Sequence, residues 1–114
     1  MDWNTGDTIV TLAVYITGAA NLYLSTGGGV KGGGKNPDVG EAAVRLVTSA
    51  QEFIGRAIPA GVKDMPPAGS VRFYLLTNKQ MYAAQEQVQY FDDGSSPWLA
   101  LFEKGNEVIA EMKS

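Results

Sequence analysis

The chain predicts an α+β domain, a two-layer sandwich in which a mostly antiparallel sheet of four to five strands carries two helices on one face. Three features of the sequence lead there. Each half of the chain holds two stretches of period-two alternation, each pair is followed by a long apolar stripe at helical spacing, and each stripe is preceded by a cap-then-proline helix start. The 114 residues are 45% hydrophobic and 18% charged, an ordinary composition for one domain spanning 1–114.

The first element runs from Thr8 to Ile16, with Val10, Leu12, Val14 and Ile16 on one side and Ile9, Thr11, Ala13 and Tyr15 on the other. Thr17-Gly18-Ala19-Ala20 turns, and Asn21 to Thr26 alternates again, which reads as a hairpin. The acidic, polar start Met1-Asp2-Trp3-Asn4-Thr5-Gly6-Asp7 stands outside this pattern and is expected at most to lie over the sheet as a further layer. The glycine tract from Gly27 to Gly34 is expected to be a loop, because glycine loses the most backbone entropy on entering regular structure.

Asn36-Pro37-Asp38 supplies a capping side chain, a proline at the first helical position and an acid at the positive end of the dipole. The stripe Val39, Ala43, Leu46, Val47, Ala50, Phe53, Ile54, Ala57 and Ile58 follows, and Pro59 is expected to stop the helix. Pro59 to Ser70 is read as connection without an element of its own. Val71, Phe73 and Leu75 then alternate with Arg72, Tyr74 and Leu76, a turn at Thr77-Asn78-Lys79-Gln80 follows, and Met81 to about Gln89 returns as a strand. Asp92-Asp93-Gly94-Ser95 is a turn, and Ser96-Pro97 opens a second helix with Trp98, Leu101, Phe102, Gly105, Val108, Ile109 and Met112 along its apolar side. Gly105, unfavourable inside a helix by about 1 kcal/mol, is expected to mark a close packing contact.

The order is therefore ββαββα, and the halves, about 8–58 and 71–113, align over both hairpins. Val14-Tyr15-Ile16 meets Phe73-Tyr74-Leu75, and Leu22-Tyr23-Leu24 meets Met81-Tyr82-Ala83. A pseudo-two-fold repeat is the expectation. In this order of elements the chain resembles the small profilin-like modules of the roadblock and longin kind, without the leading helix of the roadblock arrangement. That resemblance of architecture implies helices packed on an antiparallel sheet and a dimerising adaptor role.

No cysteine and no histidine are present, which removes thiol nucleophiles, disulfides, zinc fingers and imidazole acid–base chemistry. A formal charge of −3 is the wrong sign for a nucleic-acid binder, and no apolar run reaches membrane-spanning length. No cofactor is expected, and with no basic and apolar leader the expected location is cytoplasmic. Glu103, Glu107 and Glu111 recur every four residues and read as a solvated helix face.

Two candidate sites remain. Tyr15, Tyr23, Tyr74 and Tyr82 each sit between core residues and are expected to point away from the helices, with Tyr15 opposite Tyr23, Tyr74 opposite Tyr82, and Arg72 beside them. This face predicts a non-catalytic protein-interaction or scaffold module, homodimeric or bound to a protein partner. The alternative is a small-molecule or nucleotide-phosphate binder, because Gly27, Gly29 and Gly32 satisfy G-x-G-x-x-G. Gly28, Gly29, Lys31, Gly32, Gly33 and Lys35 would then cradle the anion, although Asp38 and Glu41 already occupy the first turn of the following helix.

Overall fold

The computed structural model describes residues 1–15, 17–32, 37–61, 64–77 and 80–113. Its strands are β1 (Asp2–Asn4), β2 (Ile9–Val14), β3 (Ala20–Leu24), β4 (Gly29–Gly32), β5 (Ile58–Ala60), β6 (Ser70–Leu76) and β7 (Met81–Gln87). Helix α1 (Pro37–Phe53) follows β4, while α2 (Val88–Asp92) and α3 (Leu99–Lys113) follow β7. The α+β class and the antiparallel sheet stand as expected. The sheet is larger than expected, seven strands in the order β4-β3-β2-β1-β6-β7-β5, each pair antiparallel.

Three of those strands escaped the sequence reading, each for a physical reason. β1 is only three residues long, too short to show a period, yet it pairs on both edges. Trp3 lies between Val10 and Val71, turned to the helices, so the N-terminal segment is the middle of the sheet and not a layer over it. β4 is glycine-rich because its neighbour demands it: a Cβ on Gly29 would sit 2.9 Å from the Leu22 carbonyl oxygen and 3.2 Å from the Tyr23 ring. The turn before it places Gly27 and Gly28 at φ of 115° and 89°, which side chains resist. The expected loop is therefore an edge strand from Gly29 to Gly32.

The third strand follows from how α1 ends. Proline disfavours a helical residue before it and clashes with the carbonyl four residues back. The helix accordingly closes at Phe53, tightens into a 3₁₀ turn over Ile54–Arg56, and leaves Ile58 extended. Ile58–Ala60 then pairs with β7 as an edge strand, where a missing N–H is tolerated. β7 ends at Gln87, two residues before the expected end of the strand, the chain turns helical at Val88, and Phe91 of α2 enters the core. In the turn beyond, Ser95 donates its backbone N–H to Asp93 Oδ1 at 2.9 Å, and the Ser95 hydrogen bonds hold the Asp93 carboxyl below its usual pKa. Ser96 caps the next turn as anticipated, accepting the Trp98 N–H at 3.0 Å while donating to Glu86 at 2.8 Å. Asn36, expected to cap α1, lies outside the described residues.

All four phenylalanines and both tryptophans meet in one chain of rings. Phe53 touches Trp98 at 5.3 Å, Trp98 stacks on Phe73 at 6.0 Å, and Phe73 meets Phe91 edge-on at 6.4 Å. Phe91 stacks on Phe102 at 4.2 Å, and Phe102 meets Trp3 edge-on at 5.3 Å. The series joins α1, β6, α2, α3 and β1, and each such pair adds about 0.5–1.5 kcal/mol beyond area burial. Around it pack Leu12, Leu22, Val39, Leu46, Val71, Leu101 and Val108. Gly105 is the expected close contact: a Cβ there would lie 2.9 Å from Met1 Sδ.

The expected two-fold repeat fails on handedness. β2 and β6 both run antiparallel to β1 and so parallel to each other, while β3 and β7 lie on opposite sides of them. Residues of α1 and α3 share one core over one face of the sheet. Units with parallel strands, reversed lateral order and helices on the same face are related by a reflection, which no rotation of an L-chain reproduces. The halves share a hairpin-then-helix pattern without sharing a rotation axis.

Replacing Trp3 with alanine is expected to cost about 3 kcal/mol in chemical denaturation, because the half-buried indole packs on Phe102 and the core despite its place near the chain start. A loss below about 0.5 kcal/mol, the ordinary surface value, would mean that β1 is not part of the cooperative sheet.

Candidate functional site

The face of the sheet away from the helices is set by register. Opposed residues share a face in an antiparallel pair, so Leu12↔Leu22 and Val71↔Trp3 fix the inner set. One row of the outer set runs Gly29, Tyr23, Thr11, Asp2, Arg72, Gln85 across six strands.

The four tyrosines divide instead of clustering. In the first hairpin Val14↔Ala20 closes a five-residue loop centred on Thr17, with the Tyr15 N–H donating to the Ala19 carbonyl at 3.0 Å. Moving the centre by two residues from the expected place keeps Tyr15 and Tyr23 on the outer face but sets Tyr23 opposite Thr11, not Tyr15. Both remain open to solvent, 50% and 46% exposed. In the second hairpin Leu76↔Met81 closes a four-residue loop, where the expected centre on Asn78 required an odd one. The one-residue slip reverses the faces of β7. Tyr82 lies opposite Leu75 and Pro59, on the helix side, and packs against the core, while Tyr74 lies opposite Ala83 on the outer side. The expected Tyr74–Tyr82 pair does not exist.

Tyr74 has a different task. β7 stands between β5 and β6, so the connection between them must cross it, and its described part from Asp64 to Gly69 lies on the outer face. The Tyr74 hydroxyl donates to the Asp64 carbonyl and accepts the Asp64 N–H, both at 2.5 Å. Arg72 Nε donates to the same hydroxyl at 2.8 Å, with the guanidinium 5.2 Å from the ring centre. Further along, Asn4 Nδ2 donates to the Pro66 carbonyl at 3.0 Å and the Gly69 N–H to the Asn4 carbonyl at 2.8 Å. This strap buries Pro66 and Ala83 and leaves Met65 66% exposed on its crest. Half of the outer face thus carries a ridge made by the chain itself. The other half, over β2 and β3, is the shallow side, with Ile9, Thr11, Ala13, Tyr15 and Tyr23.

Asp2 lies between these halves. Its neighbours across the strands are Thr11 and Arg72. It is only 9% exposed, and its carboxylate has no hydrogen bond or ion pair among the described residues. No fully buried side-chain oxygen there lacks a partner, so the Asp2 oxygens keep an opening to solvent on the outer side. Arg72 uses Nε on Tyr74 and Nη1 on Gln85 at 3.2 Å, which leaves Nη2 uncommitted among the described residues.

The glycine-tract candidate is changed in kind. Gly28 lies in the β3–β4 turn, Gly29, Lys31 and Gly32 lie in β4 with Lys31 paired to Asn21, and Gly33 and Lys35 fall outside the described residues. An extended strand sends its N–H groups alternately to its two sides, so Gly29 to Gly32 form an edge strand and not the wrapped loop that G-x-G-x-x-G predicts. Near the start of α1 a shallow depression is lined by Thr17, Gly18, Pro37, Gly40, Glu41, Val44 and Arg45. Among the described residues no group of three or more carboxylates stands close enough to hold a metal ion, and Glu103 and Glu107 face solvent. No described helix is long and apolar enough to cross a membrane.

Set against protein-family models, curated proteins and solved structures, the chain matches none of them.

Replacing Tyr74 with phenylalanine removes the hydroxyl that holds the strap and keeps the ring. The expected result is a stability loss of about 1–2 kcal/mol and faster proteolysis between Gly61 and Gly69. Unchanged protection of the Asp64 amide in hydrogen exchange would show that the strap is held by other means.

Proposed function

We propose that the chain is a non-catalytic protein-interaction module whose contact surface is the shallow half of the outer sheet face, with Tyr15 and Tyr23 as its anchors. The observation that carries this reading is the pairing of two half-exposed tyrosines with small, partly covered neighbours, Thr11 and Ala13, on a part of the sheet over which no segment of the described chain passes. Tyrosine offers a large apolar ring, a hydroxyl and only two rotatable bonds, which suits it to interface cores. The remaining chemistry supports the same reading. Among the described residues no side-chain hydroxyl of the outer face is hydrogen-bonded to a carboxylate, and acid–base catalysis needs that contact.

The commonest closed assembly for such a face is a two-fold pair of identical chains. A cytoplasmic setting belongs to this reading, in keeping with a chain without cysteine.

Sedimentation from micromolar to millimolar concentration tests the proposal. Wild type is expected to associate and Tyr23→Glu to remain a folded monomer, because a carboxylate at the centre of an apolar contact costs several kcal/mol unless it is paired. A wild type that stays monomeric throughout overturns it.

A further inference from the structure

The outer face is built in two complementary halves, and we infer that its partner is a second copy of the chain, seated face to face by a two-fold axis parallel to the strands above the β1–β6 seam. This rests on the interaction-module reading and names its partner and its register. Such an axis preserves position along the strands and exchanges left with right. Asp2 and Arg72 are direct cross-strand partners at one level, so the rotation sets each Asp2 carboxylate over the other copy's Arg72, and the reverse.

Three observations converge on this arrangement. The first is charge. Asp2 is nine-tenths buried with no side-chain partner among the described residues, and among these Arg72 retains Nη2 after serving Tyr74 and Gln85. A carboxylate held at the centre of the sheet, open only on the outer side, presents its charge to whatever covers that face, and two reciprocal Arg–Asp contacts would pair it in both chains at once.

The second is shape. The strap lies over β6 and β7 on one side of the seam and nothing in the described chain lies over β2 and β3 on the other. Exchange of left and right lowers the ridge of each copy into the shallow half of its partner.

The third is composition. Tyr15 and Tyr23 are the exposed aromatics of the shallow half, while the ridge half shows Met65 at 66%, Leu76 at 69% and Ile58 at 72%. The rotation brings these two sets together, so most of the large apolar side chains that the isolated chain leaves in water would be covered. A standard interface takes about 800 Å² from each partner, which a face on a molecule 33 Å across can supply.

Charge exchange tests the register. Asp2→Arg alone makes the seam wholly basic and Arg72→Asp alone makes it wholly acidic, so each variant, folded by circular dichroism, is expected to self-associate at least about tenfold more weakly. An equimolar mixture of the two is expected to pair at close to wild-type affinity, because both cross-contacts then join an arginine to an aspartate. Single variants that dimerise like wild type overturn the inference, as does a mixture that stays monomeric. If Asp2→Arg does not fold, Met65→Glu on the exposed crest takes its place, where a tenfold loss supports the seating and no change overturns it. Association that Tyr23→Glu abolishes but the charge variants leave intact would sink this register while leaving the interaction module standing.

Discussion

Everything in this molecule depends on a three-residue strand paired along both edges. Asp2–Asn4 hydrogen-bonds to β2 on one side and β6 on the other, and without it the hairpin of the first half and the hairpin of the second share no ladder. Because β1 is antiparallel to both neighbours, those neighbours must be parallel to each other. The lateral order of the two halves is then reversed, and with both helices over one face the halves are related by a reflection. The same alternation that turns Trp3 into the ring chain of the core turns Asp2 outward, beside Arg72. The seam of the sheet and the polar centre of the outer face are therefore one feature seen from two sides.

The core and the surface divide the aromatic residues by chemistry. Phenylalanine rings and the two indoles carry little or no hydrogen-bonding demand into the interior, and they form the continuous series from Phe53 to Trp3. Each tyrosine brings a hydroxyl that must find water or a partner. Tyr74 satisfies its hydroxyl on the strap, which converts a side chain into a tether, and Tyr15 and Tyr23 satisfy theirs in solvent. Tyr23 has a structural part as well, since its ring lies against Gly29 and fills the space beside an edge strand with no side chain of its own at that position.

Both hairpins, the stripe of α1 and the Ser96 cap were legible in the sequence because each rests on a local period or a local hydrogen bond. What could not be read was parity. Whether four or five residues close a hairpin decides which face every later side chain takes, and Thr77-Asn78-Lys79-Gln80 allows either. The first hairpin tolerated an error of two residues without changing faces, whereas the second, off by one, moved Tyr82 from the expected surface to the core side. The short strands were illegible for another reason: three residues such as Ile58–Ala60 carry no repeat, and their place is set by partners far away in the chain. Asp2 and its role fell with them, for a polar residue near the start of a chain gives no sign that it will be nearly buried at the centre of a sheet.

The edges of the sheet explain why association would proceed through a face. A long open edge invites pairing with another chain, and here both edges are short. β5 offers three residues, one of them Pro59 without an N–H, and β4 offers four. Neither can give the run of backbone hydrogen bonds that a stable strand addition needs. The connection that follows β5 must then cross β7, and the choice of the outer side for that crossing makes the outer face uneven. An even face stacked on its copy could slide between registers, whereas a ridge beside a shallow half, with opposite charges at their boundary, has one arrangement in which each feature meets its complement. The crossover imposed by strand order is thus also the element that would specify how two chains meet.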